Sequence, residues 1–239
     1  LRMSWCFHVE YLQGLILMNK LNILYEDNHI IVVVKPFNVL SQSDITNDLD
    51  MLTIVKEYIK EKYNKPGNVY LGLVHRLDRP VSGVMVFAKT SKAASRLSDQ
   101  VRTHTLKKNY YAIVNDDGSL KDSDTFVDYI YKADDNSSKI VGEDKGKYSE
   151  LSYRAVSRDK SVNLTLVDIE LKTGRHHQIR VQFASRNHAL YGDQRDGKQD
   201  KNQIALHAYR LEFIHPTTKE KMVFISKPKK ESKWSNFEI

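Results

Sequence analysis

The chain has 239 residues, 41% of them hydrophobic and 28% charged, and a formal net charge of +7, which is enough chain for one large or two small domains with a real core. Its single cysteine, Cys6, excludes an internal disulfide framework and a cysteine-based zinc cluster and points to a reducing, cytoplasmic compartment. The longest aliphatic runs, 14–18 and 30–34, fall far short of the ~20 residues a membrane helix needs, so no membrane partner is expected.

Residues 1–17 carry Arg2, but Glu10 and Gln13 interrupt any apolar region and no small-residue cleavage site follows, which is unlike a signal peptide. Met18 opens a stretch that reads as an ordinary start. The expectation is a non-core extension over 1–17 and a single domain over 18–239. Two short strands are predicted at 22–25 and 30–35. Over 50–63, Leu52, Val55, Ile59 and Tyr63 fall at helical spacing, and Lys65-Pro66-Gly67 ends the run. A strand is predicted at 84–89, then a helix capped by Ser91 and running to Arg102.

From Lys107 the pattern turns to strands: 110–114, 125–131, 148–157 and 162–171. In the last, the apolar phase shifts at Leu166/Val167, which predicts a bulge. A helix is expected over 176–185, strands over 204–214 and 222–225, and a frayed basic tail over 227–233. Many strands and few helices make an α+β fold.

The positive charge is uneven. Between Leu71 and Tyr110 eight lysines and arginines face two aspartates, and between Leu171 and Arg195 five face one; between Asp116 and Glu150 ten acids outweigh five bases. A polyanion such as RNA would be drawn to the two basic stretches. Those stretches also hold three of the four polar clusters. One is His75-Arg76-Leu77-Asp78-Arg79-Pro80-Val81-Ser82-Gly83, a carboxylate on a turn at a strand end in cationic surroundings. Such an acid stays ionised, as a nucleophile or general base must. Taken alone it also fits a structural ion pair. The other clusters are Lys35-Pro36, Lys107-Lys108-Asn109-Tyr110, and Thr173-Gly174-Arg175-His176-His177-Gln178-Ile179-Arg180. On a helix, His176 and His177 would share a face with Arg180 and offer donors to a phosphate or carboxylate. Adjacent histidines are poorly spaced for one metal ion.

Together with Tyr191-Gly192-Asp193 and the segment 206–216, these clusters occur in the order found in one family. The chain resembles the RluA-type pseudouridine synthases from about Leu24 to Phe224. The resemblance implies a mixed, mainly antiparallel sheet around a central cleft with flanking helices. It implies isomerisation of a uridine in structured RNA (rRNA or tRNA): the base is detached, rotated and rejoined through carbon 5. By matching position, Asp78 is the essential catalytic carboxylate and Tyr110 lies against the target base. Arg180 pairs with Asp78, and Arg76 helps displace the target from its stack. No metal or organic cofactor is implied, and the small size favours a monomer.

The chain departs from the family pattern at Val81, where threonine is usual, at Asn38, where glycine is usual, and at Asp196-Gly197, where tyrosine-glycine is usual. A kinase-like reading of His75–Asp78 lacks a glycine-rich phosphate loop. A glycosidase reading lacks a second acid in a matching motif. A binding protein without activity would have no reason to keep Asp78, Tyr110 and Arg180 together.

Overall fold

A computed structural model of the protein describes residues 21–46, 48–197 and 203–239. The expected extension over 1–17 and the start at Met18 lie outside them. The described residues form two compact units. The first runs to Thr105 and includes Phe213–Phe224; the second holds Leu106–Glu212 and Ile225–Ile239.

In the first unit, β1 (Asn22–Glu26) pairs with β2 (Ile30–Lys35), which pairs with β4 (Ser82–Ala88); the two-residue β3 (Gly72–Leu73) also pairs with β4. All three pairings are antiparallel. Ile30–Val33 and Val84–Ala88 are fully buried. That is why they read as unbroken apolar runs rather than alternating ones. Helix α1 (Met51–Lys62) is capped by Asp50, whose carboxylate accepts the Thr53 N–H at 3.1 Å and the Thr53 hydroxyl at 2.7 Å. Its buried stripe is Met51, Ile54, Val55 and Ile59, one residue round from the predicted face, and Tyr63 is exposed. Tyr63 serves the surface through its hydroxyl, which donates to Glu26.

Helix α2 (Ser91–Arg102) is capped by Thr90, not Ser91. Thr90 keeps the extended backbone of the preceding strand while its hydroxyl accepts the Ala93 N–H at 3.2 Å, as an N-cap requires. Ser91 is already helical.

The second unit is one antiparallel ribbon of strands. It contains β5 (Lys107–Asn115), β6 (Ser123–Lys132), β7 (Ser138–Val141), β8 (Lys147–Asp159), β9 (Leu164–Leu171) and β10 (Leu206–Ile214) up to Glu212. The order is β10-β5-β9-β8-β6-β7. The irregularity predicted at Leu166/Val167 falls opposite those residues: the register shifts on β8 between Ala155 and Ser157, which face Val167 and Leu166. Leu164 to Val167 are all buried, so the phase shift reflects burial on both faces and the extra residue, Val156, sits on the partner strand. Helix α3 is short, Gln178–Ala184. Strand β11 (Lys221–Ile225) follows β10 through a turn closed by the His215 N–H on the Glu220 carbonyl at 2.7 Å.

The tail is not frayed. A 3-10 helix, Ser232–Asn236, buries Trp234, and Phe237 follows it into a cluster with Ile113, Leu164, Leu166 and Ala205. Two aromatic residues hold down a segment whose lysines suggested disorder.

Candidate active site

Asp78 sits in the first unit on the link between β3 and β4. Apolar Leu77 and Val81 are buried on either side of it, and the Val81 N–H closes a turn on the Asp78 carbonyl at 2.9 Å. Ser41 clasps the approach: its hydroxyl donates to the Leu77 carbonyl at 2.6 Å and accepts the Leu77 N–H at 3.0 Å. Beneath lies Lys35, the last residue of β2, with no exposed surface. Its ammonium donates to the carbonyls of Pro36 at 3.1 Å and Arg79 at 3.0 Å. Burial pulls Lys35 down to about 7, against the opposing pull of the Asp78 charge. A buried amine held on the carbonyls of this loop, close enough to feel Asp78, fixes the loop, and its charged form supplies positive potential to the carboxylate.

The flanking arginines have different tasks. Arg76 is exposed. Arg79 bonds two side chains of its own unit: its Nε donates to Asn38 at 3.0 Å and its Nη1 to Asp48 at 2.6 Å. His75 is buried, and its Nε2 accepts the Val86 N–H at 3.1 Å, a structural role on β4.

Tyr110 and Arg180 lie in the second unit. Tyr110 is 5% exposed in the middle of β5, opposite Ile169 of β9. Arg180 is on α3, buried, and holds Asp193 with its Nε at 2.8 Å and Nη2 at 2.6 Å. Burial pushes the Asp193 carboxyl up, but the Arg180 bonds and charge and the N–H groups of Asp196 and Arg195 outweigh it and leave it below the ordinary value. Tyr191-Gly192-Asp193 is shaped for this. Gly192 has φ +73°, and a Cβ there would lie 2.2 Å from the Gln203 carbonyl oxygen, so only glycine fits.

The loop before α3 is not helical, contrary to the expected start at His176. His177 has φ 52°, and Gln178 reaches back to accept the Thr173 hydroxyl at 2.8 Å and the Arg175 N–H at 3.0 Å. These bonds hold 173–175 in a turn that a helix could not make. The His176 and His177 rings stack at 3.8 Å. Burial, with the Arg180 and His176 charges, pulls His177 down to about 3, so it is neutral at physiological pH. The shared helical face of His176, His177 and Arg180 does not exist. Among the described residues no group of three or more His, Cys, Asp or Glu side chains could hold a metal ion.

Ser41 and Asp193 have no role that the motifs alone assign. For Ser41 the sequence carries no signal. For Asp193 the preceding glycine is one.

The model of the RNA pseudouridylate synthase family matches residues 29–185. The chain belongs to that family. It is of the RluA type, as its motifs imply. Among curated relatives it is similar to ribosomal large subunit pseudouridine synthase C of Buchnera aphidicola subsp. Acyrthosiphon pisum, 34% identical over 225 residues, or 88% of this chain and 68% of that protein. It is also similar to tRNA pseudouridine synthase C of Salmonella typhimurium, 32% identical over 225 residues, or 85% and 84% of the two chains. Among solved structures, Human RNA Pseudouridylate Synthase Domain Containing 4 superposes with a TM-score of 0.76 at 22% identity, covering 92% of this chain and 94% of that one. That match establishes the fold.

As an RNA pseudouridylate synthase the protein is an isomerase, and its departures from the family pattern acquire local explanations. Asn38 adopts φ 61°, the left-handed conformation that asparagine tolerates and glycine would supply, and its side chain adds the bond from Arg79. Val81 is buried, a site where an apolar side chain costs nothing. Asp196 lies 3.7 Å from the Arg180 Nε, so in this synthase a second acid stands near that guanidinium.

Proposed function

We propose that the protein converts uridine to pseudouridine in structured ribosomal or transfer RNA, with Asp78 as the essential catalytic carboxylate. The family match carries this reading, and the clamped, cation-backed turn that bears Asp78 supports it. A base inside a helical stack cannot rotate, so the target nucleotide is extruded, at a cost of a few kcal/mol. Phosphate contacts to the basic stretches offset that cost. Exposed Arg76 displaces the target from its stack, and Tyr110 supports the loosened uracil with its flat face. The Asp78 carboxylate then acts on the glycosidic bond, and the base rejoins through carbon 5.

Arg180 keeps Asp78 ionised and oriented in this reading. The guanidinium has a third nitrogen, Nη1, beyond the two that hold Asp193. Asp193 thereby fixes the plane of the guanidinium. We assign the work to residues 18–239 acting as one catalytic domain, a monomer in the cytoplasm.

The test is tritium release from RNA labelled at uridine carbon 5. Release from total ribosomal or transfer RNA of the source cell, lost in Asp78→Asn, is the expected result. No release from either RNA counts against the activity, and unchanged release by Asp78→Asn overturns the role of that residue.

A further inference from the structure

Lys108 is a cation of the first basic stretch to which the roles above give no individual task. It stands two residues before Tyr110 on β5. Strand residues two apart share a face, so Lys108 and Tyr110 project to the same side, while Lys107, Asn109 and Tyr111 project to the other. The Lys108 ammonium lies against Gly174: a Cβ built on that glycine would come within 3.1 Å of Nζ. With no side chain at 174 the ammonium sits there uncrowded. Burial alone moves Lys108 below the ordinary lysine value; no acid or hydrogen bond among the described residues offsets it. By contrast, the ammonium groups of Lys62 and Lys89 both end on Glu26.

A partly desolvated ammonium without a counter-ion is unfavourable in the free protein. It is retained with benefit where a ligand brings the anion. We propose that Lys108 binds a backbone phosphate of the substrate RNA, beside the nucleotide whose base lies on Tyr110. This rests on the functional reading above. A phosphate fits better than the uracil ring because it carries its charge before any bond is broken. Gly174 then has a reason to be glycine that its backbone does not supply, since its φ lies outside the left-handed region.

The experiment uses the full chain and total cellular RNA labelled with tritium at uridine carbon 5. Lys108→Met is expected to raise KM for that RNA about tenfold or more, the loss of a hydrogen bond to a charged group, with kcat little changed. The slope of log KM against log salt should fall in magnitude by about 0.7–0.9, one phosphate contact. Lys108→Arg should keep most of the affinity. Gly174→Ala, which displaces the ammonium without straining the backbone, should shift KM in the same direction. The melting temperature of Lys108→Met should not drop, because no protein partner is lost.

A fall in kcat with an unchanged salt slope would assign Lys108 to the uracil and overturn the phosphate role. A clear drop in melting temperature would mean that the ammonium has a partner in the protein, and overturns it equally. Absence of tritium release by the wild type is a separate result, obtained before any variant is made, and strikes the functional reading itself.

Discussion

Arg180 and Asp193 form a two-point ion pair, Nε at 2.8 Å and Nη2 at 2.6 Å, with both side chains almost fully buried. The arginine that we propose pairs with Asp78 is therefore already anchored, thirteen residues along the chain, by an acid of its own unit. A charge held in this way cannot rotate out of position, which suits the orienting role proposed for it.

This pair makes Arg180→Met ambiguous as a test of catalysis. Removing one partner of a buried ion pair strands the other, at a cost of about 3–5 kcal/mol. We expect Arg180→Met to lose that much stability in chemical denaturation. Arg180→Met combined with Asp193→Asn should recover most of the stability but none of the turnover. Recovery of turnover in the double variant would contradict the pairing of Arg180 with Asp78.

Asp78→Asn should fold normally, because asparagine keeps the shape of the side chain and backbone atoms, Ser41 and Lys35 help to hold the turn. Its tritium release should fall to background while RNA binding, measured by filter retention, stays within a few-fold of wild type. Loss of binding in step with turnover would make Asp78 a structural residue.

Ser41→Ala removes both bonds to Leu77 and leaves a buried carbonyl without its donor, a loss of about 1–3 kcal/mol. If this clasp positions the Asp78 loop, kcat should fall while KM is little affected. A variant that loses stability and keeps kcat would restrict Ser41 to folding.

Acid sensitivity should centre on Glu26. Burial raises its carboxyl, but bonds from Lys62, Lys89 and Tyr63 dominate and bring it from 4.5 to about 2. A depressed carboxylate stabilises the fold above its unfolded value, and that stability is lost as pH falls through the folded value. The gap in unfolding free energy between wild type and Glu26→Gln should be on the order of 2 kcal/mol above pH 5. It should close between pH 4.5 and 2. A gap independent of pH would show that the bonds to Glu26 do not need its charge.

Trp234→Ala tests the docked tail. Emptying a large aromatic site costs about 3–5 kcal/mol, a drop readable in the melting temperature. No change would return the segment to the frayed tail that its lysines suggest.

The sequence by itself determined the family, the α+β class and most of the strands. Runs such as Ile30–Val34 are long enough and apolar enough to admit little else, and the clusters around Asp78 and Arg180 are specific as a pair. Asn38 was legible too, because few residues besides glycine accept a left-handed backbone. Only tertiary structure decided which partner each charge takes. Arg79 stands beside Asp78 in the chain yet bonds Asn38 and Asp48, and Lys35, forty-three residues away, lies beneath the loop. His176 and His177 have helical spacing to Arg180, but the back-bonding of Gln178 ends the helix before it reaches them. Trp234 and Phe237 gain more by burial than the neighbouring lysines gain from solvent. Local spacing fixes which residues can share a face; the choice among distant hydrogen-bond and ion-pair partners depends on desolvation and reach, which no local pattern encodes.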